Sequence, residues 1–125
     1  MSTQLEDFKN QVSFQPSVYP AVVNDTNNGL TLDMIDADGR CFAVQILGTI
    51  AGTTPSITGK VQESSDTTTW TDVTNAAFVA VTVSNNVQTL VFDRTKRYLR
   101  YFRTVSGTTP TFALCAMFGE QKKLV

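Results

Sequence analysis

Two thiols, a short acidic run and a basic run are the places where this sequence could carry chemistry. Cys41 and Cys115 are its two cysteines, and it contains no histidine. A cysteine nucleophile needs a base beside it, and histidine is the commonest base and metal ligand, so neither thiol resembles a cysteine-protease nucleophile. Asp33, Asp36 and Asp38 in DMIDADGR overlap the opening of a calcium loop. The bidentate glutamate such a loop needs is missing downstream, and Asp-Gly is a common turn pair, so a turn is expected there. GTTPSITGK has a glycine and a lysine without the spacing that cradles a phosphate. Glu6, Asp7, Glu63, Asp66 and Asp72 offer no pairing that defines a glycosidase dyad. No catalytic residue, metal ligand or cofactor is expected.

The basic run is DRTKRYLRYFR, where Arg94, Lys96, Arg97, Arg100 and Arg103 interleave with aromatic residues. Nucleic acid would be one partner for such a run. The formal net charge of the whole chain is −1, however, and along a strand these cations alternate between faces. Docking on an acidic protein surface, or ordinary ion pairing, accounts for it as well, and no nucleic-acid partner is expected. Trp70 and Tyr19 could make a sugar-stacking platform, although a lone tryptophan in a small sandwich usually belongs to the core.

These residues must be positioned by a single domain, because 125 residues suffice for one core and not for two. The hydrophobic fraction of 42%, rich in Val, Ile and Phe, belongs to a folded protein. No apolar run approaches the roughly 18–20 residues that span a bilayer, so no membrane partner is expected. The start, MSTQLEDFKNQ, is acidic and polar, unlike a signal peptide. The two cysteines are accordingly read as free thiols of a protein made and assembled in a cytoplasm.

Residues 1–20 lack a sustained period, and Pro16 and Pro20 keep them from forming one regular element. Leu5, Phe8 and Val12 have the spacing of a short helix, and with Phe14 they make this segment too apolar for a solvated tail. It is read as an extended N-terminal arm. From Leu30 the pattern has period two: a strand over 30–36, a turn at DADG, then Phe42, Val44, Ile46 and Ile50 on one face. Ile57, Gly59 and Val61 continue the inward row, while Ser56, Thr58, Lys60 and Gln62 point out. A polar loop leads to a short strand at Trp70 and Val73, and AFVAVTV and VQTLVFD flank a hairpin turn at Ser84-Asn85-Asn86. About eight strands separated by turns every eight to twelve residues predict an all-β fold, a single antiparallel β-sandwich of jelly-roll or Ig-like type over 21–125.

One stretch occurs twice: Gly52-Thr53-Thr54-Pro55 returns as Gly107-Thr108-Thr109-Pro110, 55 residues on and with similar flanks. Glycine admits positive φ, and proline fixes φ and extends the residue before it, so each copy is expected to join two strands and send the second one back. Carrying the faces over by the same offset puts Leu99, Tyr101, Val105, Phe112, Leu114 and Ala116 inside. Tyr98, Arg100, Phe102 and Thr104 then point outward, as do Ala113, Cys115 and Met117. A solvated sheet should be polar on its outer face, so these apolar residues call for cover by the arm or by another subunit. Aromatics, Met and Arg are also what interface cores favour. The candidate interface residues are Phe8, Val12, Phe14, Tyr98, Arg100, Phe102, Cys115 and Met117.

Glu63, Ser64, Asp66, Trp70, Thr71, Asp72 and Val73, then RYLRY at 97–101, then Gly107, Thr108 and Pro110 follow a recognisable order. Over about Phe42–Phe118 the sequence resembles small β-sandwich virion proteins of tailed bacteriophages. That resemblance implies no catalytic residues. It implies a capsid decoration or cement protein on the outside of the head, which stabilises the shell by bridging capsomers. The implied partners are the major capsid protein of the same phage and further copies of the chain, as a dimer or trimer. Other positions in the virion, in the tail or at a head-fibre base, fit the same pattern. A carbohydrate-binding or adhesion module using Trp70 is the alternative from a different class. If the arm holds the shell, deleting residues 1–16 should abolish capsid binding and leave the sandwich folded.

Overall fold

A computed structural model describes residues 12–35 and 37–122, in which every regular element is a β-strand. The strands are β1 (Val12–Val23), β2 (Asn27–Asn28), β3 (Leu32–Asp33), β4 (Ala37–Ser64), β5 (Thr71–Ala77), β6 (Asn86–Asp93) and β7 (Tyr98–Lys122). β4 and β7, at 28 and 25 residues, far exceed the usual strand length of roughly 3–10. They lie antiparallel from Ala37 opposite Lys122 to Ser64 opposite Tyr98. A flat ribbon of that length could not bury one continuous face. This ribbon bends in the middle, where the two Gly-Thr-Thr-Pro stretches meet.

Gly52 and Gly107 have φ of 115° and 116°, and Thr54 and Thr109 have φ of 48° and 45°. The two copies therefore share one backbone conformation and face each other, Thr53 opposite Thr108. A Cβ on Gly52 would lie 2.8 Å from Pro110 Cα, and one on Gly107 would lie 3.0 Å from Pro55 Cα. Each glycine thus admits the proline of the other copy. The stretches are reciprocal corners inside continuous strands, which corrects the expectation that each turns the chain back on itself. Strands that change sheet at a bend are a known way to close a sandwich.

Beyond the corner the ribbon serves two layers. In the first, 37–51 and 111–122 lie between β6 and β1; in the second, 53–64 and 98–108 lie between β5 and the short β2 and β3. The fold is all-β and antiparallel as expected, and the eight strands read from the sequence correspond to arms of a single seven-stranded hydrogen-bonded sheet. Leu47, Phe112, Leu114 and Phe118 from the first layer meet Ile57, Val61, Leu99 and Tyr101 from the second in one buried core. Across the layers the Tyr101 hydroxyl donates to Gln45 Oε1 at 2.5 Å, both residues being fully buried.

The expected row Phe42, Val44, Ile46 faces outward, while Cys41, Ala43, Gln45 and Leu47 are buried. Leu47 pairs with Leu114 but Ile50 with Phe112, so Gly48 and Thr49 together oppose Ala113 alone. This bulge adds one residue to β4, and with a side-chain period of two it inverts every residue before it. Its backbone is held by the next loop: Asn85 N donates to Gly48 O at 2.9 Å, and Ile50 N donates to Ser84 Oγ at 2.9 Å. Asn85 does take positive φ, at 65°, but 84–86 is no hairpin turn. Residues 78–83 form no strand, although Val81 bridges to Ile57 and Phe78 N donates to Gly59 O at 2.8 Å, and the strand expected over 30–36 is only Leu32–Asp33.

Residues 12–20 of the expected arm belong to β1, paired along the edge of β7, with its register breaks falling between Pro16 and Ala21. Ser17 anchors it: its hydroxyl donates to Leu30 O at 2.8 Å and accepts from Tyr101 N at 3.1 Å. The helix expected over 5–12 falls, but for Val12, outside the described residues.

Two measurements check this construction. Gly52→Ala and Gly107→Ala should each cost roughly 1–3 kcal/mol in urea unfolding, because each needs a left-handed φ and meets the opposing corner. Gly48→Ala, with Ala113 Cβ 3.4 Å away, should stay within about 0.5 kcal/mol; equal costs at all three sites would contradict the paired corner. Burial pushes the Cys41 thiol from 9.0 up to about 11 and raises the Tyr101 phenol above its usual 10.0. The folded state keeps these protons longer than the unfolded chain does, so stability should hold below about pH 9 and fall as pH rises towards 11. A urea midpoint that stays level over that window would count against both burial assignments.

Candidate functional site

The outer face of the first layer is built from residues that share hydrogen-bonding rows. Phe14, Gly119, Phe42 and Val91 make one row; Pro16, Met117, Val44 and Thr89 make the next; Cys115, Ile46 and Val87 make a third. Val22 opposite Ala113 extends the face along β1. The Phe42 ring lies across Gly119, where no side chain could fit, and meets the Phe14 ring edge-on at 5.6 Å. Val22, Val87, Val91 and Phe14 are 71%, 65%, 59% and 49% exposed. With strands about 4.8 Å apart and residues about 3.3 Å apart, the face spans roughly 14 Å by 23 Å, on the order of 300 Å² in projection. Apolar patches of that size on soluble proteins often mark interaction sites.

Among the described residues, charge on this face lies at one corner, where Arg40 and Asp93 pair at 3.2 Å with both side chains about two-thirds exposed. Such a pair contributes little to stability. Near the opposite end Pro20, Val22, Ile46, Gly48, Ala113 and Cys115 line a shallow apolar depression. Burial raises the pKa of the Cys115 thiol and so disfavours its thiolate.

The outer face of the second layer differs in kind. Tyr98, Arg100 and Phe102 do point outward, but cations of the same chain cover the rings. Arg100 stacks 4.2 Å from the centre of Trp70 and 6.0 Å from that of Phe102; Lys60 lies 5.4 Å over Phe102, and Arg97 lies 5.0 Å over Tyr98. Arg100 Nε donates to Gln62 Oε1 at 2.8 Å, and Lys60 pairs with Asp72 at 3.0 Å. The contact with Lys60 holds the Asp72 carboxyl below its usual range. A cation on an aromatic face contributes about 0.5–1 kcal/mol at an exposed site and gives the ring a partner. Trp70, considered for sugar stacking, already has the Arg100 guanidinium on its ring.

The sequence-derived interface residues therefore divide. Phe14, Cys115 and Met117 stand on the first face, and Tyr98, Arg100 and Phe102 on the second, because β7 passes the corner between them. Val12 begins β1 beside Gln121, and Phe8 lies outside the described residues. Phe42, Val44 and Ile46, the centre of the apolar face, were expected inside. The available signal was Gly48 interrupting a period-two run, a common mark of a bulge.

Other candidates are used within the fold. Asp33 receives Arg97 in a two-pronged contact at 2.8 and 2.9 Å, which lowers its pKa. Arg103 is buried against Asp25 at 2.7 Å, and Arg94 donates to Met34 O at 2.6 Å, so the basic run disperses to separate partners. Glu63 accepts from Thr95 Oγ1 at 2.6 Å. Asp66 closes its own loop, accepting from the backbone of Thr68 and Thr69 at 2.9 Å each, and those bonds depress its pKa. Among the described residues no three His, Cys, Asp or Glu side chains gather as metal ligands.

No protein-family model and no curated protein matches the chain. Among solved structures it is similar to a chain from work titled "Bacillus endospore appendages form a novel family of disulfide-linked pili", at 14% identity and a TM-score of 0.40 over 90% of each chain.

Proposed function

We propose that this chain is a non-enzymatic structural protein of a virion, a decoration or cement protein seated on the outside of a tailed-phage head. The observation that carries the reading is the charge-poor, four-stranded apolar face of the first layer. A monomer gains nothing from presenting Phe14, Phe42, Ile46, Val87 and Met117 on a single sheet, whereas a protein partner gains a dry contact centre. The phage head as the site of action rests on the resemblance described above, and the major capsid protein is the partner it implies. On that surface the rigid two-layer body would act as a clamp between neighbouring capsomers. Its second face, already covered by its own cations, would remain in water.

Co-sedimentation with purified heads lacking the protein tests this. Val44→Glu and Met117→Glu place a carboxylate in the contact centre and should weaken binding at least about tenfold, or roughly 1.4 kcal/mol. Thr58→Glu, on the outer face of the second layer, should leave it unchanged. The deletion suited to testing the leader ends at residue 11, because removing 1–16 also takes Phe14 off Phe42 and Gln15 off Glu120. Heads that bind the glutamate variants as well as the parent, or a purified protein that binds glycans on an array, would refute the cement reading.

A further inference from the structure

Sheet edges are templates for further strands, and proteins usually blunt them with prolines, bulges, charges or brevity. Three edges of this molecule are blunted. β1 carries Pro16 and Pro20 and two register breaks; β2 and β3 have two residues each; β5 has a register break and Asn75 at φ 61°. β6 is different. It pairs with β4 without interruption from Asn86 opposite Leu47 to Asp93 opposite Arg40, and it contains neither proline nor glycine. From Val87 to Phe92 it has no charge, and Val87, Thr89 and Val91 stand exposed along it. Among the described residues no strand pairs with its other side. Gln88 clamps Val79 from the inner face, accepting from its N at 2.9 Å and donating to its O at 3.0 Å.

We propose that β6 is a homotypic docking edge, to which a second copy of the chain adds its own β6 antiparallel about a two-fold axis at Thr89. Outward residues must meet outward residues if the sheet is to continue, and this register does so. Val87 falls opposite Val91 of the second copy, Thr89 opposite its counterpart, and Gln88 opposite Leu90 of the second copy. β-branched and Thr–Thr cross-strand pairs are favourable ones. Asp93 falls opposite Asn85 of the second copy, so no like charges meet. The uncharged span from Val87 to Phe92 offers nothing to select a charged foreign segment, whereas it complements itself, as a closed two-fold contact requires. The joined sheets would carry the apolar outer face across the seam as eight strands. The inference does not depend on the phage reading, since it needs only the edge.

Sedimentation equilibrium of the full chain decides it. The parent should form dimers that dissociate on dilution. Thr89→Glu sets two carboxylates against each other on the axis and should give monomers, with the circular dichroism spectrum and melting temperature retained. Val87→Lys should weaken the dimer at least tenfold, and adding Val91→Glu should restore it, because the introduced ammonium then faces the introduced carboxylate of the other copy. A monomeric or trimeric parent, a Thr89→Glu dimer, or a double variant that fails to recover would each overturn the proposal.

Discussion

The contact on which the structure depends is the mutual insertion of two corners, Pro110 against Gly52 and Pro55 against Gly107. Each glycine accepts a conformation and a closeness that no other residue would tolerate, and each does so for the opposite strand. One bend without the other would tear the ladder between β4 and β7. Because they coincide, one hydrogen-bonded ribbon supplies the central pair of strands to both layers, and the sheet folds onto itself with its pairing kept. Thr54 and Thr109, β-branched residues at positive φ, are strained there, and the surrounding ladder holds them.

Around that corner the energetic weights are uneven. The two inner faces close on large apolar side chains, and their burial is the main stabilising term. The ion pairs are mostly wet and minor; Arg103 with Asp25 differs, since its guanidinium side chain is only 7% exposed and would be costly to leave alone. Gln45 and Tyr101 form the polar link through the core, and Gln45 Nε2 has no partner there. A buried donor left unbonded is unfavourable, so this pair is better understood as fixing how the layers meet than as adding stability.

Local pattern made much of this legible. The alternation over 57–61 and 99–116 gave the correct faces, and the repeated Gly-Thr-Thr-Pro marked the points where the chain changes direction. Period and turn chemistry do not say which distant segment a strand will meet, so the pairing of the two corners with each other was not readable. The bulge at Gly48 and Thr49 has the larger consequence. A single extra residue exchanged the faces of Phe42–Ile46, and the apolar centre of the candidate site was read as core. Tyr98 and Phe102 point outward as their alternation predicts, yet their cover comes from Lys60, Arg97 and Arg100, which no spacing rule brings beside them.

The ribbon has a further consequence for how the molecule holds itself together. A half-length polypeptide with one bent strand would find an antiparallel neighbour only in an identical molecule, and its folding would rise and fall with dilution. Tethering both strands through 65–97 replaces that encounter with a high effective concentration, at a loop-closure cost that grows only with the logarithm of tether length. The ladder is therefore closed within one chain, and the tether that closes it also carries β6, whose outer side pairs with no strand among the described residues.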